Sequence, residues 1–224
     1  MDKLKVLIAD DHYIVRLGLK ILVDSFEGFK VVMEAENGQD VIDQVECADY
    51  FILDLEMPVV NGIRALEHIK TRHPEKRVVL LTNSMDIPTL IRAKNLKPNG
   101  FLFKDGMHEE IKICLNELKK GNYYWGRNCR AFFERHESDI VDTEHLMENL
   151  KDLTKTEIKI LFKISENLST QEIAEALFNS PKTIDNHRTN IAKKLDISGY
   201  NNLQAIAIKN KSLVESLYNS VFNK

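Results

Sequence analysis

Five short apolar runs, at residues 6–9, 30–34, 50–53, 78–81 and 100–103, recur through the first half of the chain, each followed by an amphipathic stretch. Each is four or five residues long, and most are rich in Val, Ile, Leu or Phe. Continuous apolar character marks strands buried on both faces. The stretches near 13–25, 38–47, 62–72, 87–95 and 107–120 carry helical periodicity. Strand–helix alternation repeated five times predicts an α/β fold, a (βα)5 doubly wound parallel sheet, over residues 1–121. Pro58, Asn61-Gly62, Pro74, Pro98-Asn99-Gly100 and Gly121 punctuate the units.

Residues 122–149 lose this rhythm and are expected to form a linker, partly helical, with Tyr123-Tyr124-Trp125 as a local packing cluster. From 150 to 224 the pattern is helical throughout. Thr154-x-x-Glu157 and Ser169-Thr170-Gln171-Glu172 are capping boxes, and Ser180-Pro181 places an N-cap before a proline at the first helical position. Asn201-Asn202-Leu203-Gln204 resembles a third box and opens a last helix over 202–217. Four short helices predict a small all-α domain. The close second and third helices fit a helix-turn-helix.

Composition sets limits. No apolar run reaches the roughly 18 residues needed to span a bilayer. The N-terminal apolar run is too short for a signal-peptide core. Cys47, Cys114 and Cys129 are scattered in no metal-ligand spacing and read as reduced thiols, which points to the cytoplasm. The net charge of −3 hides an asymmetry: residues 150–224 hold 11 basic and 8 acidic residues, the remainder 20 basic and 26 acidic. Different partners are expected for the two halves.

The polar residues of the first half cluster by position. Asp10-Asp11 follows the first strand, Asp54 the third, Thr82 and Ser84 the fourth, and Lys104 the fifth. All fall at carboxyl ends of parallel strands, where open α/β sheets bind ligands. An aspartate at a strand end is ordinarily a turn or cap residue; a set of three with a lysine is not. Three neighbouring carboxylates repel one another, and a hard cation with oxygen ligands relieves them. Mg²⁺ suits, because it takes carboxylates, keeps waters and accepts phosphate oxygens. A carboxylate in such a pocket can attack phosphorus, with the lysine neutralising charge and Thr82 donating its hydroxyl.

Asp10-Asp11, Asp54-Leu55-Glu56-Met57-Pro58-x-x-Asn61-Gly62, Leu80-Leu81-Thr82 and Gly100-Phe101-Leu102-Phe103-Lys104 together resemble the receiver domain of two-component response regulators. The resemblance implies that Asp54 accepts a phosphoryl group from a sensor histidine kinase. It implies Mg²⁺ ligation by the side chains of Asp11 and Asp54, by the backbone carbonyl of Glu56, and by Asp10 directly or through water. Lys104 would pair with the phosphoryl group. Thr82 and Phe101 would be the switch pair, the ring moving inward as Thr82 is drawn to the phosphate. Asp105 stands where the family often has proline.

The second half resembles the LuxR-type helix-turn-helix of NarL/FixJ response regulators. The resemblance rests on Leu153-Thr154-x-x-Glu157, Ser169-Thr170-Gln171-Glu172-Ile173-Ala174 and Ser180-Pro181-Lys182-Thr183-Ile184-Asp185-Asn186-His187-Arg188-Thr189-Asn190-Ile191-x-x-Lys194-Leu195. It implies that the helix from Pro181 enters the major groove of double-stranded DNA. Ile184, Ile191 and Leu195 recur at core spacing. Lys182, Thr183, Asp185, Asn186, Arg188, Thr189, Lys193 and Lys194 are the candidate DNA-contacting residues. Arg188 suits a guanine edge and Asn186 an adenine edge, while Lys182, Lys193 and Lys194 suit phosphates. Asp185, where many relatives carry lysine, suits a cytosine amino group or the orienting of Arg188. The last helix would form a homodimer on DNA, and the loop at Ser198-Gly199-Tyr200 is slightly longer than typical.

The expected function is a response-regulator transcription factor whose only own chemistry is phosphorylation and dephosphorylation at Asp54. Two alternatives stay open. Phosphatases with an Asp nucleophile carry a second Asp two residues on, where this chain has Glu56. A phosphorylation-independent DNA-binding protein with a relic receiver would need no complete pocket.

Overall fold

The five apolar runs form strands, and a sixth, very short strand joins them. The computed structural model describes residues 3–198 and 202–222. It divides into two compact units, Met1–Glu137 and Ser138–Lys224. The first unit alternates β1 (Leu4–Ala9), α1 (Tyr13–Asp24), β2 (Phe29–Ala35), α2 (Gly38–Asp43), β3 (Tyr50–Asp54), α3 (Gly62–Arg72), β4 (Arg77–Thr82), α4 (Ile87–Asn95), β5 (Gly100–Phe103) and α5 (Met107–Lys119). Then come β6 (Tyr124–Trp125) and α6 (Arg127–Arg135). The strands are parallel in the order β2-β1-β3-β4-β5-β6.

Successive strand residues point to opposite faces, so each apolar run feeds two cores. Ile8, Ile52, Val79 and Leu81 meet Leu19 and Val23 of α1 and Ile111 and Leu115 of α5. Leu7, Phe51, Leu53, Leu80 and Phe101 meet Val41, Ile63, Leu66 and Leu90 on the other side. Chain order reverses beside β1, where β2 lies to one side and β3 to the other, which opens a crevice at the strands' carboxyl ends. Gly62 lets α3 start hard against that crevice. A Cβ there would lie 2.0 Å from the Asp54 carbonyl oxygen. Asn61 caps α3 by accepting from the Arg64 amide at 3.0 Å.

Residues 122–149 differ from the expected linker. Tyr124 and Trp125 extend the sheet, pairing with Gly100 and Phe101. Cys129 is fully buried in the receiver-like core, with Phe132 and Phe133 packed against it. Residues 129, 132 and 133 share one helix face, and that apolar stripe docks α6 on the first unit. Their ring pairs add about 1 kcal/mol each beyond buried area. The following helix, α7 (Glu137–Asn149), belongs to the second unit.

The second unit continues with α8 (Lys155–Ser165), α9 (Thr170–Ala176), α10 (Pro181–Lys194), α11 (Asn202–Lys209) and α12 (Lys211–Phe222). Among the described residues, 150–224 therefore hold five α-helices rather than the expected four. Both capping boxes form, at Thr154 with Glu157 and Ser169 with Glu172, and Ser180 caps α10. The single last helix expected over 202–217 is two. Asn210 stands at the break, its backbone and side-chain amides both donating to the Ile206 carbonyl at 3.0 Å. The third box and the 198–200 loop fall at Gly199, Tyr200 and Asn201, outside the described residues. Among the described residues, no helix is long and apolar enough to cross a membrane.

Candidate functional site

Strand ends bring the polar set together. Asp10 follows β1, Asp54 ends β3, Thr82 ends β4 and Lys104 follows β5. Asp10, Asp54 and Thr82 are all buried. The Lys104 ammonium lies 2.7 Å from Asp10 Oδ2 and 3.0 Å from Asp54 Oδ2. Backbone ladders hold this register: Lys104 N donates to Thr82 O at 2.8 Å, and Leu55 N to Leu81 O at 2.9 Å.

Burial pushes the Asp54 carboxyl above its ordinary value, against the opposing pull of Lys104. Burial also disfavours charge on Lys104, but its bonds to Asp10 and Asp54 outweigh that and hold its ammonium above the usual range. Asp11 lies at the mouth, 35% exposed, with Oδ1 2.7 Å from His12 Nδ1. The ligating atoms of Asp10, Asp11 and His12 lie within 4.8 Å of one another. Glu56 is exposed at the rim. Thr82 Oγ1 accepts from the Ser84 amide at 2.8 Å.

Two neighbours escape sequence reasoning. Arg16 of α1, buried, donates to the Asp10 carbonyl at 2.7 Å and to Glu36 at 2.6 Å, bracing the strand end from behind. The His12 amide donates to Asp10 Oδ1 at 2.9 Å. Adjacency to the aspartates could have flagged His12; nothing in the sequence marks Arg16.

The resemblance implied a Phe101 ring that moves inward, and here the ring lies in the core. It is already fully buried, under Trp125 at 5.4 Å and Phe133 at 6.2 Å between centroids. Trp125 belongs to β6 and Phe133 to α6, both on the segment expected as linker.

In the second unit, Ile184, Ile191 and Leu195 are buried, as their spacing requires. Lys182, Asn186, Thr189 and Lys193 are exposed along α10, and Thr183 is half-buried in the Ser180 cap. Three candidates depart from the expected DNA contacts. Arg188 is only 4% exposed, with Nη2 3.4 Å from Gln204, because residue 188 falls four after Ile184 and three before Ile191 on the core stripe. Asp185 accepts from the Thr170 hydroxyl at 3.1 Å and ties α10 to α9. The Lys194 ammonium pairs with Glu157 at 2.7 Å and the Asp152 carbonyl at 3.1 Å, tying α10 to α8.

Comparisons with known proteins agree in both halves. The family profile described as "Response regulator receiver domain" matches residues 6–116. That for "Bacterial regulatory proteins, luxR family" matches residues 151–207. The oxygen regulatory protein NreC of Staphylococcus haemolyticus is 31% identical, over 94% of this chain and 99% of its own length. The uncharacterized transcriptional regulatory protein YhcZ of Bacillus subtilis is 29% identical, over 92% and 96%. Among solved structures, RcsB of Salmonella enterica serovar Typhimurium, bound to promoter P1flhDC with the phosphomimetic BeF3⁻, aligns with a TM-score of 0.62. It is 25% identical and covers 93% of this chain and 99% of its own. A structure of two RcsB dimers on two parallel DNAs aligns at 0.61 and 26% identity, over 95% and 99%.

Proposed function

The chain belongs to the response regulators that join a receiver domain to a LuxR-type DNA-binding domain, and from that premise we propose that Asp54 is its phosphoacceptor and that phosphorylation there governs DNA binding by α10. The observation that carries the reading is the Lys104 ammonium shared between two buried carboxylates, Asp10 and Asp54.

Asp54 is the nucleophile. Its carboxylate oxygen forms the O–P bond as the P–N bond of a kinase phosphohistidine breaks and the electron pair returns to the imidazole. Lys104 neutralises the arriving phosphoryl oxygens, exchanging a carboxylate partner for them. The Thr82 hydroxyl donates to a phosphoryl oxygen, and Phe101 is the ring that responds. Three carboxylates against one ammonium leave two negative charges among hard oxygen donors, which fits Mg²⁺. Asp11, Asp54 and the Glu56 carbonyl would hold it, with Asp10 directly or through water. The ion supplies neutralisation of the phosphoryl charge.

On the DNA side, Lys182, Asn186, Thr189 and Lys193 are exposed along one helix and are the contacts to bases and phosphates. Thr183, Asp185, Arg188 and Lys194 position that helix. DNA is bound as a homodimer, the partner upstream is a sensor histidine kinase, and the protein works in the cytoplasm. Incubation with a small phosphodonor and Mg²⁺ should add one phosphoryl mass to the chain and none to Asp54→Ala. Equal labelling of both would end the assignment.

A further inference from the structure

The side chains above Phe101 come from the segment between the two units. Trp125 meets the Phe101 ring edge-on, and Trp125 and Phe133 pack on each other at 5.2 Å. Two residues along β5, Phe103 meets Phe132 at 5.6 Å, and Phe132 meets Phe133 at 6.0 Å. The rings therefore form one continuous stack from β5 through β6 to α6.

The segment is also tied by polar contacts. Tyr124 N donates to Asn99 O and Gly126 N to Phe101 O, both at 2.9 Å. Glu110 of α5, 8% exposed, accepts from the Arg127 amide at 3.0 Å and Arg127 Nε at 2.9 Å. Asn128 Nδ2 donates at 3.3 Å to the carbonyl of Asp105, the residue after Lys104. The segment thus holds the Phe101 ring through Trp125 and Phe133 and, between them, the chain beside Lys104 through Asn128. α6 ends at Arg135, and the second unit begins at Ser138.

We infer that β6 and α6 form the receiver's output element: phosphorylation moves Phe101, the stack with Trp125 and Phe133 repacks, and α6 shifts the chain entering the DNA-binding unit. Close-packed rings cannot absorb a moving neighbour by compressing; they change to a second arrangement. A phosphoryl group acts locally, so a distant readout needs an element of this kind. The inference rests on Asp54 as phosphoacceptor.

Trp125 is the chain's single tryptophan, so its emission reports on the stack directly. Full-length protein is treated with acetyl phosphate and Mg²⁺, and intact mass gives the phosphorylated fraction in the same sample. The emission maximum and intensity should change in proportion to that fraction. The change should be lost in Phe101→Leu and Phe133→Leu at matched phosphorylation. Phe133→Leu, which leaves the pocket residues in place, should take the phosphoryl group yet show no phosphorylation-dependent gain in DNA affinity. An unchanged spectrum in protein that mass shows to be phosphorylated overturns the inference while leaving the Asp54 assignment standing. So does a wild-type gain in DNA affinity in Phe133→Leu. Absence of the mass shift instead removes the assignment itself.

Discussion

Replacing Lys104 with Gln removes the ammonium that faces both Asp10 and Asp54. The ion pairs at 2.7 and 3.0 Å vanish, and the two carboxylates, 0% and 5% exposed at their side chains, remain. Removing one partner of a buried pair costs about 3–5 kcal/mol. The pocket opens to water at Asp11, so the lower end, about 3 kcal/mol at neutral pH, is expected. The pH dependence has a definite sign. Asp54 already has a raised folded-state pKa, from burial first and Asp10 in addition, with Lys104 opposing. A carboxyl raised in this way favours folding fully below the unfolded value of about 4 and loses that contribution as pH rises through the folded value. Without Lys104 the folded value rises further. The variant's deficit should therefore be largest at neutral pH and shrink on acidification towards about pH 4. Urea unfolding in EDTA, followed by Trp125 emission, isolates the first unit, because the only tryptophan lies there. A deficit under about 0.5 kcal/mol at neutral pH, or one that fails to shrink in acid, refutes the account of Lys104.

Further predictions concern the second unit. Arg188→Ala should lower its stability by about 2 kcal/mol, since the side chain is buried, whereas Lys182→Ala should leave thermal unfolding unchanged and reduce the salt slope of DNA binding by about 1. Reversed results would restore Arg188 as a groove contact. Phe178 takes φ 53° at the end of α9 and is 98% exposed. Phe178→Gly should thus gain about 0.5 kcal/mol in thermal melts, relief of left-handed strain exceeding the added backbone entropy; a loss would show that the ring packs. Lys194→Met should cost about 1 kcal/mol at neutral pH. Glu157 is desolvated, yet Lys194 and Thr154 hold its pKa low, so this contribution exists above the unfolded carboxyl value and fades as pH falls through the folded one. Denaturant midpoints across the acid range would check it, and a pH-independent cost would contradict it.

The pocket was legible because its chemistry sits at strand ends, and strand ends follow from apolar runs. Asp10, Asp54, Thr82 and Lys104 needed only the sheet to bring them together. The roles along α10 were harder. Arginine is usually exposed, and that prior hid the place of Arg188 between Ile184 and Ile191 on the buried stripe. Lys194 and Asp185 found partners on α8 and α9, contacts of long sequence separation that helical spacing cannot show. β6 is a two-residue strand, too short for a period-two pattern. The Cys129-Phe132-Phe133 stripe of α6 was readable in principle but lay within charged residues. Asn210, an ordinary surface type, divided the final helix.

The central claim is that phosphorylation at Asp54 controls DNA binding, and the most direct measurement is affinity for a promoter fragment with and without acetyl phosphate and Mg²⁺. Wild-type protein should bind roughly 5- to 150-fold more tightly when phosphorylated, the usual range of coupling between sites. Asp54→Ala should bind equally under both conditions. Equal affinity of phosphorylated and unphosphorylated wild-type protein would contradict the account.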